Sequence, residues 1–464
     1  MKPKISWPKR PERLYSVSKA WTESASASSA HHALLPQVSS QKKPALAGLP
    51  TKSLLRSLLL TSVMASPLLN PSVALLKYVI DSNSPLLSPS KNPAMNYLLR
   101  MTIYNHFCAG TNEREVRDTV QGMKDLGFKG VILGYARESV AKVDGAESHV
   151  EEWKNPQAIG DRAVEEWKQG NLRTLKMVGE GDYINIKLTG AGPAAVDALA
   201  RGDPVPPPHI EQAITEICEA TSAQGSRFWI DAEQQIFQPA IDAWTIDLMR
   251  QFNRNGRVVV LNTVQAYLKS STENIHRHLE LAGQEGWALG IKLVRGAYIA
   301  HDIRSRIHDT KTDTDRNYNH ILESLLSRRS PFQELKGTPF PDARLFVASH
   351  NAESVRRAYS ISRHRILDGL PTIPLEMGQL QGMADEVSCG LLAEYQPDSS
   401  EKNSSSAVPA SVFPKVFKCL AWGTTEECLH FLLRRAVENQ SAMERTRDTA
   451  SALREEVWRR FGWR

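Results

Sequence analysis

From about residue 96 onwards, short apolar runs rich in β-branched residues alternate with longer segments whose apolar residues recur at helical spacing. The short runs are mainly apolar and do not alternate strictly with polar residues, which is typical of parallel strands buried on both faces. Helical patterns and turn residues separate them, as in repeated strand–helix units. The pattern predicts eight strands, at Gly130–Arg137, Tyr183–Thr189, Arg227–Glu233, Val258–Tyr267, Gly290–Tyr298, Arg344–His350, Leu375–Met383 and Val416–Gly423.

Eight strand–helix units in about 320 residues predict an α/β protein with a (β/α)8 barrel, in preference to an open, doubly wound sheet. In such a barrel the side chains that carry function lie at the carboxyl ends of the strands. Polar residues are concentrated at those ends, more densely than barrel stability alone requires. They are Lys187, Asp231, Glu233, Gln265, Lys292, Arg295, His350, Asn351 and Gln379.

The net charge of +6 belongs to the N-terminal part of the chain. Residues 1–80 hold eleven Lys and Arg but only two acids, whereas the remaining residues hold 46 basic and 49 acidic side chains. The body therefore lacks the basic surface that phosphate binding requires, and we exclude a nucleic-acid-binding function. A basic, serine-rich, acid-poor N-terminus predicts a mitochondrial presequence, although a disordered tail has the same composition.

Residues 57–76 form an uncharged stretch that is about long enough to span a bilayer. Pro67, Asn70 and Pro71 interrupt it, so we predict a pair of short apolar helices on the body or on a membrane surface. We divide the chain into a disordered presequence at 1–50, a helical N-terminal arm at 51–110 and the barrel at 111–464. Five cysteines without a C-x-x-C pair argue against a disulfide framework and a Cys-based zinc site, and we expect no metal.

Three charged residues near the ends of predicted strands are candidates for chemistry. Lys187 ends an apolar strand, where it either reaches solvent or serves as an anion contact or a Schiff-base amine. Asp231 and Glu233 lie two residues apart on one strand and therefore face the same side. They are candidate active-site acids, and the alternative is an ion pair inside the barrel rim.

The helix predicted after the last strand carries two adjacent arginines. Thr424 and Glu427 form a capping-box pattern that predicts where the helix begins. Arg434 and Arg435 flank its apolar face about 100° apart, and Glu438 lies one turn further on. Paired guanidinium groups suit bidentate capture of a carboxylate, whereas the alternative is a surface pair balanced by Glu438.

Seven stretches of the chain together resemble one enzyme family. In order they read IKLTG, FWIDAEQQIFQPAID, LNTVQAYLK, IKLVRGAY, VASHNAES, GQLQGMAD and LLRRAVEN, and they cover roughly residues 97–439. In this order they resemble the proline dehydrogenases, specifically the mitochondrial form of the fungal type. The resemblance implies a distorted TIM barrel that binds FAD, with its last helix over the barrel mouth. It also implies oxidation of L-proline to Δ1-pyrroline-5-carboxylate, with electrons passed to a quinone of the mitochondrial inner membrane, on which the protein would lie peripherally.

The resemblance also implies roles for individual residues. Lys187, Arg434 and Arg435 are expected to bind the proline carboxylate, with Glu438 bracing the arginine pair. Asp231 matches the active-site aspartate of the family, and Leu380 matches a leucine that packs on the proline ring. The positions expected to contact the flavin are Gln265, Lys292, Arg295, Gly296, Ala297, Ser349 and His350, with Lys292 standing where some members have Arg.

One departure from the family pattern affects substrate choice. Cys419 stands where the family usually places a tyrosine against the substrate ring, so we expect a roomier pocket that excludes 4-hydroxyproline less strongly. Hydroxyproline dehydrogenase is therefore the alternative within the same class. A Schiff-base lyase using Lys187 or Lys292 is an alternative from another class. A flavin-binding regulator is a third, and the presence of the arginine pair argues against it.

Overall fold

A computed structural model of the chain describes residues 44–82, 84–136, 156–299, 302–394, 409–429, 431–433 and 443–462. Most of the predicted presequence lies outside the described residues. Arg434, Arg435 and Glu438 also lie outside them, so their predicted positions are not described.

Nine strands lie within the described residues and form one sheet in which every pairing between strands is parallel. They are β1 (Cys108–Gly110), β2 (Gly130–Tyr135), β3 (Tyr183–Ile186), β4 (Arg227–Ile230), β5 (Val260–Gln265), β6 (Leu289–Val294), β7 (Ala343–Ala348), β8 (Leu375–Leu380) and β9 (Val416–Trp422). Strands β2 to β9 pair in chain order, and β9 also pairs with β2. They therefore close into an eight-stranded barrel, and the short β1 adds to the end of β9.

Helices surround this barrel and precede it. Within the described residues they are α1 (Thr51–Met64), α2 (Leu69–Asp81), α3 (Pro93–Leu99), α4 (Asn105–Phe107), α5 (Glu113–Asp125), α6 (Pro156–Lys176), α7 (Pro193–Arg201), α8 (Pro208–Gln224), α9 (Gln238–Phe252), α10 (Ser271–Glu285), α11 (Lys311–Leu326), α12 (Ala352–Leu367), α13 (Asp385–Ala393) and α14 (Met443–Phe461). Residues 425–429 and 431–433 are helical as well. Asn112, Thr310 and Asn351 each accept a backbone N–H three residues later, which explains where α5, α11 and α12 begin.

The predicted (β/α)8 barrel is confirmed, and all eight predicted strands are present. Each strand ends earlier than predicted, because the polar residues that follow it form loops at the mouth. The predicted strand Tyr183–Thr189, for example, ends at Ile186, and a tight turn at Leu188–Ala191 follows. The pattern missed β1, since a strand of three residues is too short to show a periodicity.

Aromatic side chains fill the barrel interior near the amino ends of the strands. Tyr183, Trp229, Phe346 and Phe417 are almost fully buried there, and their contacting ring pairs have centroids 4.9 to 5.7 Å apart. The interior is thus a packed core and not a channel. A substrate can approach only from the mouth, at the carboxyl ends of the strands.

The helices that precede the barrel pack against it through one face. Leu54 of α1 is buried in a cluster with Cys389 and Leu453, whereas Leu76 of α2 packs against Tyr104 and neighbouring residues. No helix within the described residues is by itself long and apolar enough to cross a membrane. Helices α1 and α2 pass that test of length and composition only together, with a bend of 99° between them. The predicted pair of short apolar helices is confirmed.

Candidate active site

A partly buried ion pair lies at the barrel mouth between strands β4 and β6. Asp231 follows the last residue of β4, and Lys292 lies on β6. Lys292 Nζ donates to Asp231 Oδ1 at 2.7 Å, and Asn185 Nδ2 donates to Asp231 Oδ2 at 3.1 Å. The same ammonium lies 4.3 Å from the centre of the Trp229 ring. The rim ion pair that the sequence left open as an alternative is therefore present.

The environment of Asp231 favours its ionised form. Burial raises the pKa of this carboxyl, but the positive charges of Lys292 and Lys187 and the two hydrogen bonds outweigh that effect. The pKa of Asp231 therefore lies below its ordinary value, and the side chain is a carboxylate at neutral pH.

Glu233, two residues further along, has a different environment. It is buried, and its carboxyl accepts hydrogen bonds from the Thr189 backbone N–H at 3.1 Å and from the Thr189 hydroxyl. Burial raises the pKa of Glu233 above its ordinary value, although the charge of Lys187 and the Thr189 hydrogen bonds act against it. Neighbouring carboxyls with pKa values shifted in opposite directions are suited to different roles.

The loop after β6 is held against the end of β5. Gln265 Nε2 donates to the Glu233 carbonyl at 3.1 Å, and the Ala297 N–H donates to Gln265 Oε1 at 3.4 Å. Gly296, the residue before Ala297, has φ +148°, and an added Cβ there would lie 2.5 Å from the Tyr267 ring. Only glycine fits at this position, so the backbone of the loop has a defined path along the mouth.

Arg295 is held by side chains from three surrounding segments. Its Nε donates to Asp315 at 2.7 Å, and its two terminal nitrogens donate to Ser349 at 2.7 Å and to Ser354 at 2.9 Å. The guanidinium carbon also lies 4.3 Å from the centre of the Tyr318 ring. The positive charge is thus fixed in position beside the ends of β6 and β7, which is what a site for a polar or anionic ring edge requires.

The residues after β7 are connected to β8. The Leu380 backbone N–H donates to His350 Nε2 at 3.1 Å, which places the proton of a neutral imidazole on Nδ1. Gln379 Nε2 donates to the Ser349 carbonyl at 3.1 Å, while its Oε1 accepts from Ser388 of α13. Gln379 is 1% exposed and so braces the loop from behind the mouth. Asn351 caps α12, so it too has a structural role.

Leu380 and Cys419 form an apolar side of the mouth. They are paired across β8 and β9 and therefore point to the same face of the sheet. Cys419 packs against the aromatic cluster of the barrel interior, and Leu380 packs against a second apolar cluster that includes Phe107 and Leu432. The two residues that the family resemblance assigns to the substrate ring are thus neighbours.

The helical residues that follow β9, at 425–429 and 431–433, lie over this side of the mouth. The predicted capping box is confirmed, because the Glu427 N–H donates to Thr424 Oγ1 at 3.2 Å and the Thr424 N–H donates to Glu427 Oε2 at 2.8 Å. The Tyr135 hydroxyl at the end of β2 donates to the other carboxylate oxygen of Glu427 at 2.6 Å. Leu432 is buried against residues of the arm and of β8. The arginine pair follows directly in the sequence, outside the described residues.

Three residues of the mouth escape the sequence analysis. Asn185 is hydrogen-bonded to Asp231, Trp229 underlies Lys292, and Thr263 is paired with Lys292 across β5 and β6. Asn185 lies two residues before Lys187 on an apolar strand, and this period of two is a signal that could have found it. Trp229 and Thr263 carry no such signal, since both are ordinary residues of buried strands.

Comparison with known sequences gives the same family along most of the chain. The family model described as proline dehydrogenase matches residues 116–448. A probable mitochondrial proline dehydrogenase of Schizosaccharomyces pombe is 27% identical over 416 residues, covering 79% of this chain and 81% of that protein. A hydroxyproline dehydrogenase of Rattus norvegicus is also 27% identical, over 409 residues, covering 78% of this chain and 83% of that protein.

Comparison with solved structures agrees on the fold. Proline utilization A (PutA) from Bdellovibrio bacteriovorus, crystallised after inactivation by N-propargylglycine, superposes with a TM-score of 0.59. The match covers 82% of this chain but only 38% of that much longer chain. The sequence identity is 14%, so this likeness establishes a shared barrel fold alone.

Proposed function

Because this chain belongs to the proline dehydrogenase family, we propose that it is an FAD-dependent enzyme that oxidises L-proline to Δ1-pyrroline-5-carboxylate. The electrons then pass to a membrane quinone. The observation that carries the proposal is the barrel mouth, where the Asp231–Lys292 ion pair lies within electrostatic reach of Lys187. Ammonium groups held by a carboxylate suit the binding of the carboxylate group of a small substrate such as an amino acid.

The mouth has chemical features that fit a flavin. Thr263 Oγ1 and Trp229 Nε1 are buried polar atoms without a hydrogen-bond partner among the described residues. Thr263 points into the barrel beside Lys292, because the two are paired across β5 and β6. Buried polar atoms are rarely left unpaired in native proteins, so a polar ligand ring at the mouth would satisfy this hydroxyl.

The residues that would hold FAD surround the ends of β5, β6 and β7. They are Gln265, Lys292, Arg295, Gly296, Ala297, Ser349 and His350. FAD, when bound, supplies the oxidant that accepts a hydride from the carbon beside the ring nitrogen of proline. Arg295, which is fixed by three hydrogen bonds, would offer its remaining N–H groups to the polar edge of the ring system.

The protein's own part in the reaction is to hold proline in a reactive position. Lys187, Arg434 and Arg435 would bind its carboxylate, with Glu438 bracing the arginine pair. Leu380 would pack on the ring, and Asp231 would hold the Lys292 ammonium in place through their ion pair. Fixing both reactants in this way can lower a barrier by about 7–11 kcal/mol in favourable cases.

We place the enzyme in the mitochondrion, on the matrix side and peripherally on the inner membrane. The basic, acid-poor N-terminus supports this location, as does the similarity to the mitochondrial enzyme of Schizosaccharomyces pombe. In this proposal residues 1–50 are the presequence, 51–110 the helical arm and 111–464 the FAD-binding barrel.

Oxidation of 4-hydroxyproline is a second candidate function. The proline and hydroxyproline dehydrogenases compared above are both 27% identical to this chain, so overall identity does not separate the two substrates. The residue beside Leu380 on the substrate side of the mouth is the small Cys419. A short side chain there leaves room for a hydroxyl on the substrate ring, which favours the tolerance of both substrates.

Replacing Cys419 with tyrosine tests this idea. Tyrosine would fill the space beside Leu380, and we expect the ratio of kcat/KM for 4-hydroxyproline to that for proline to fall about tenfold. Steady-state kinetics on both substrates measure the ratio. Cys419→Ser, which keeps the size of the side chain, is the matched control and should leave it unchanged. An unaltered ratio in a flavin-loaded Cys419→Tyr enzyme would show that this wall does not select the substrate.

Replacing Arg295 with alanine tests the flavin site. The change removes a fixed cation and three hydrogen bonds, and we expect FAD affinity to fall about tenfold or more. The reduction potential of the FAD that remains should also fall, because a cation stabilises the reduced, anionic ring. Ultrafiltration and redox titration measure the two effects. Arg250→Ala, which removes an ion-paired arginine outside the barrel, should change neither. Normal retention and potential in Arg295→Ala would remove this residue from the flavin site.

An anaerobic visible spectrum of the purified protein, before and after addition of L-proline, tests the function as a whole. We expect flavin bands that bleach with proline. Bands that persist would contradict proline oxidation. A colourless protein that retains no FAD after FAD has been added and the excess removed would favour the Schiff-base lyase alternative. Borohydride trapping with a carbonyl substrate would detect that activity. The ion pair argues against Lys292 as the nucleophile of a lyase, because an ammonium that donates to Asp231 has no lone pair to attack a carbonyl carbon.

A further inference from the structure

A buried lysine lies behind the apolar side of the barrel mouth. Lys418 is next to Cys419 on β9, and only 3% of its side chain is exposed. Successive residues of a strand point to opposite faces, so Lys418 lies outside the barrel wall, whereas Phe417 and Cys419 belong to the cluster inside it. Burying an ammonium is costly unless it is paired, so the partners of Lys418 indicate its role.

The Lys418 ammonium connects β9 to the residues that follow β8. Its Nζ donates to Asp385 Oδ1 at 2.7 Å and to Ser388 Oγ at 2.9 Å, both on α13. It also donates, over longer distances of 3.4 and 3.3 Å, to the carbonyl oxygens of Leu380 and Met383. One cation thus contacts four acceptors along the stretch of chain that leaves β8 and enters α13. That stretch begins with Leu380, whose side chain faces the mouth.

This stretch has a backbone that needs support. Ala384 has φ +50° and ψ +43°, in the left-handed region that residues with a Cβ rarely adopt. Gly382 has φ +72°, and an added Cβ there would lie 2.7 Å from the His106 ring. Strained conformations of this kind persist where the surrounding contacts hold them. The Lys418 ammonium supports the stretch from the barrel wall, so its removal would loosen the path of the chain after Leu380.

A chain of hydrogen bonds continues from Lys418 to the arginine of the proposed flavin site. An ammonium only donates, so the Ser388 hydroxyl accepts from Lys418 and itself donates to Gln379 Oε1 at 2.8 Å. Gln379 Nε2 donates to the Ser349 carbonyl at 3.1 Å, and Ser349 Oγ accepts from Arg295 at 2.7 Å. Lys418, Ser388 and Gln379 are at most 3% exposed, so water does not compete for these bonds. The position of Arg295 therefore depends in part on a residue on the far side of the barrel wall.

We propose that Lys418 is a positioning residue for the reaction, which holds Leu380 towards the substrate and Arg295 towards the flavin while it touches neither ligand. The inference rests on the proposed function, which assigns those two residues to proline and to FAD. Leu380 is fixed at both of its backbone groups, since its N–H donates to His350 at 3.1 Å and its carbonyl accepts from Lys418. Arg295 is reached through the chain of hydrogen bonds.

A second ion pair with a buried partner provides the comparison. Lys124 Nζ donates to Asp182 Oδ2 at 2.6 Å, and the Asp182 side chain is 1% exposed. Asp182 directly precedes β3, so this pair lies at the amino ends of the strands, opposite the mouth. Loss of either lysine leaves a poorly solvated carboxylate and should destabilise the fold. Only the loss of Lys418 should alter the reaction.

Replacing Lys418 with methionine tests the proposal, because methionine keeps most of the length of the side chain without its charge. We expect kcat/KM for proline, measured per bound flavin, to fall about thirtyfold, since a small misplacement of the reacting groups is costly. Most of this loss should be a rise in KM, because Leu380 contacts the substrate. The reduction potential of the FAD should fall as well, because Arg295 is less firmly fixed. Steady-state kinetics and an anaerobic redox titration measure these effects.

Two further variants separate positioning from folding. Lys124→Met breaks the comparison pair and should lower stability in urea without changing the KM or the potential. Ser388→Ala interrupts the chain to Arg295 but keeps the ion pair of Lys418 with Asp385. This milder change tests the proposal even if Lys418→Met does not fold. It should lower the potential and leave the KM within about twofold of the wild type, because Lys418 still holds the Leu380 carbonyl.

Three results would overturn the proposal. They are a normal KM in folded Lys418→Met, a normal potential in Ser388→Ala, and changes in KM and potential that are the same in Lys124→Met as in Lys418→Met. A wild-type protein whose bound flavin is not bleached by proline would instead contradict the proposed function alone. The potentials of the variants, measured by chemical reduction, would still test the connection from Lys418 to Arg295.

Discussion

Replacing Asp231 with alanine is expected to lower kcat/KM for proline about a hundredfold and to destabilise the fold by about 3 kcal/mol. Lys292 lies 2.7 Å from this carboxylate, and its side chain is only 12% exposed. Without the carboxylate, an ammonium remains in a poorly solvated position on the Trp229 ring, and Asn185 loses its acceptor. Steady-state kinetics per bound flavin and urea unfolding measure the two losses.

The double variant Asp231→Ala, Lys292→Met separates the two effects. Removing both charges should restore much of the stability, because no unpaired ammonium is left, whereas the activity should stay low. Equal stability of the single and double variants would show that the ion pair is not what Asp231 contributes to folding.

The stability that Asp231 provides should depend on pH in a defined direction. The pKa of Asp231 is below its ordinary value in the folded protein, so the unfolded chain binds its proton more readily. The contribution is therefore complete above the pKa of the unfolded state, about 3.9, and is lost as pH falls through the lower folded value. Asp231→Asn should accordingly lose less stability than the wild type between about pH 5 and pH 3.

The barrel was predictable because parallel strands have to be buried on both faces. Runs such as Gly130–Tyr135 and Val258–Leu261 are apolar throughout, a pattern typical of strands that are buried on both faces. The ends of the strands were not predictable. Lys187 and Asp231 each follow the last residue that pairs with an adjacent strand, although the residues on either side of them in the sequence are apolar. Which residue is the last to pair depends on the register of the adjacent strand.

The sequence predicted which residues belong to the candidate site better than it predicted which of them contact each other. Lys187, Asp231 and Lys292 stand out as charges at the ends of apolar runs, and the barrel brings those ends together. That Asp231 pairs with Lys292 follows from the curvature of the barrel wall, which brings inward side chains of β4 and β6 together across β5. Likewise, Gln265 bonds to the Glu233 carbonyl and to the loop at Ala297, contacts that no local pattern specifies.

The opposite end of the barrel holds a second charged cluster, where a large effect on stability is expected without an effect on catalysis. Glu376 is 3% exposed and lies 2.7 Å from Arg344 and 3.6 Å from Arg227. It also accepts a hydrogen bond from the Tyr183 hydroxyl, and burial together with the Glu376 charge raises the pKa of Tyr183 well above its ordinary value. These residues lie near the amino ends of their strands, away from the mouth.

Glu376→Gln leaves two guanidinium groups without their counter-charge while keeping the shape of the side chain. We expect the free energy of unfolding to fall by about 3–5 kcal/mol, as when one partner of a buried ion pair is removed. The kcat/KM per folded, flavin-loaded molecule should stay within about twofold of the wild type, because the residues at the barrel mouth are unchanged. Glu113→Gln is the control, since its pair with Arg117 is more than half exposed and should contribute less than about 1 kcal/mol. A parallel loss of kcat/KM in Glu376→Gln would mean that the aromatic core between the two ends transmits the change to Asp231 and Lys292.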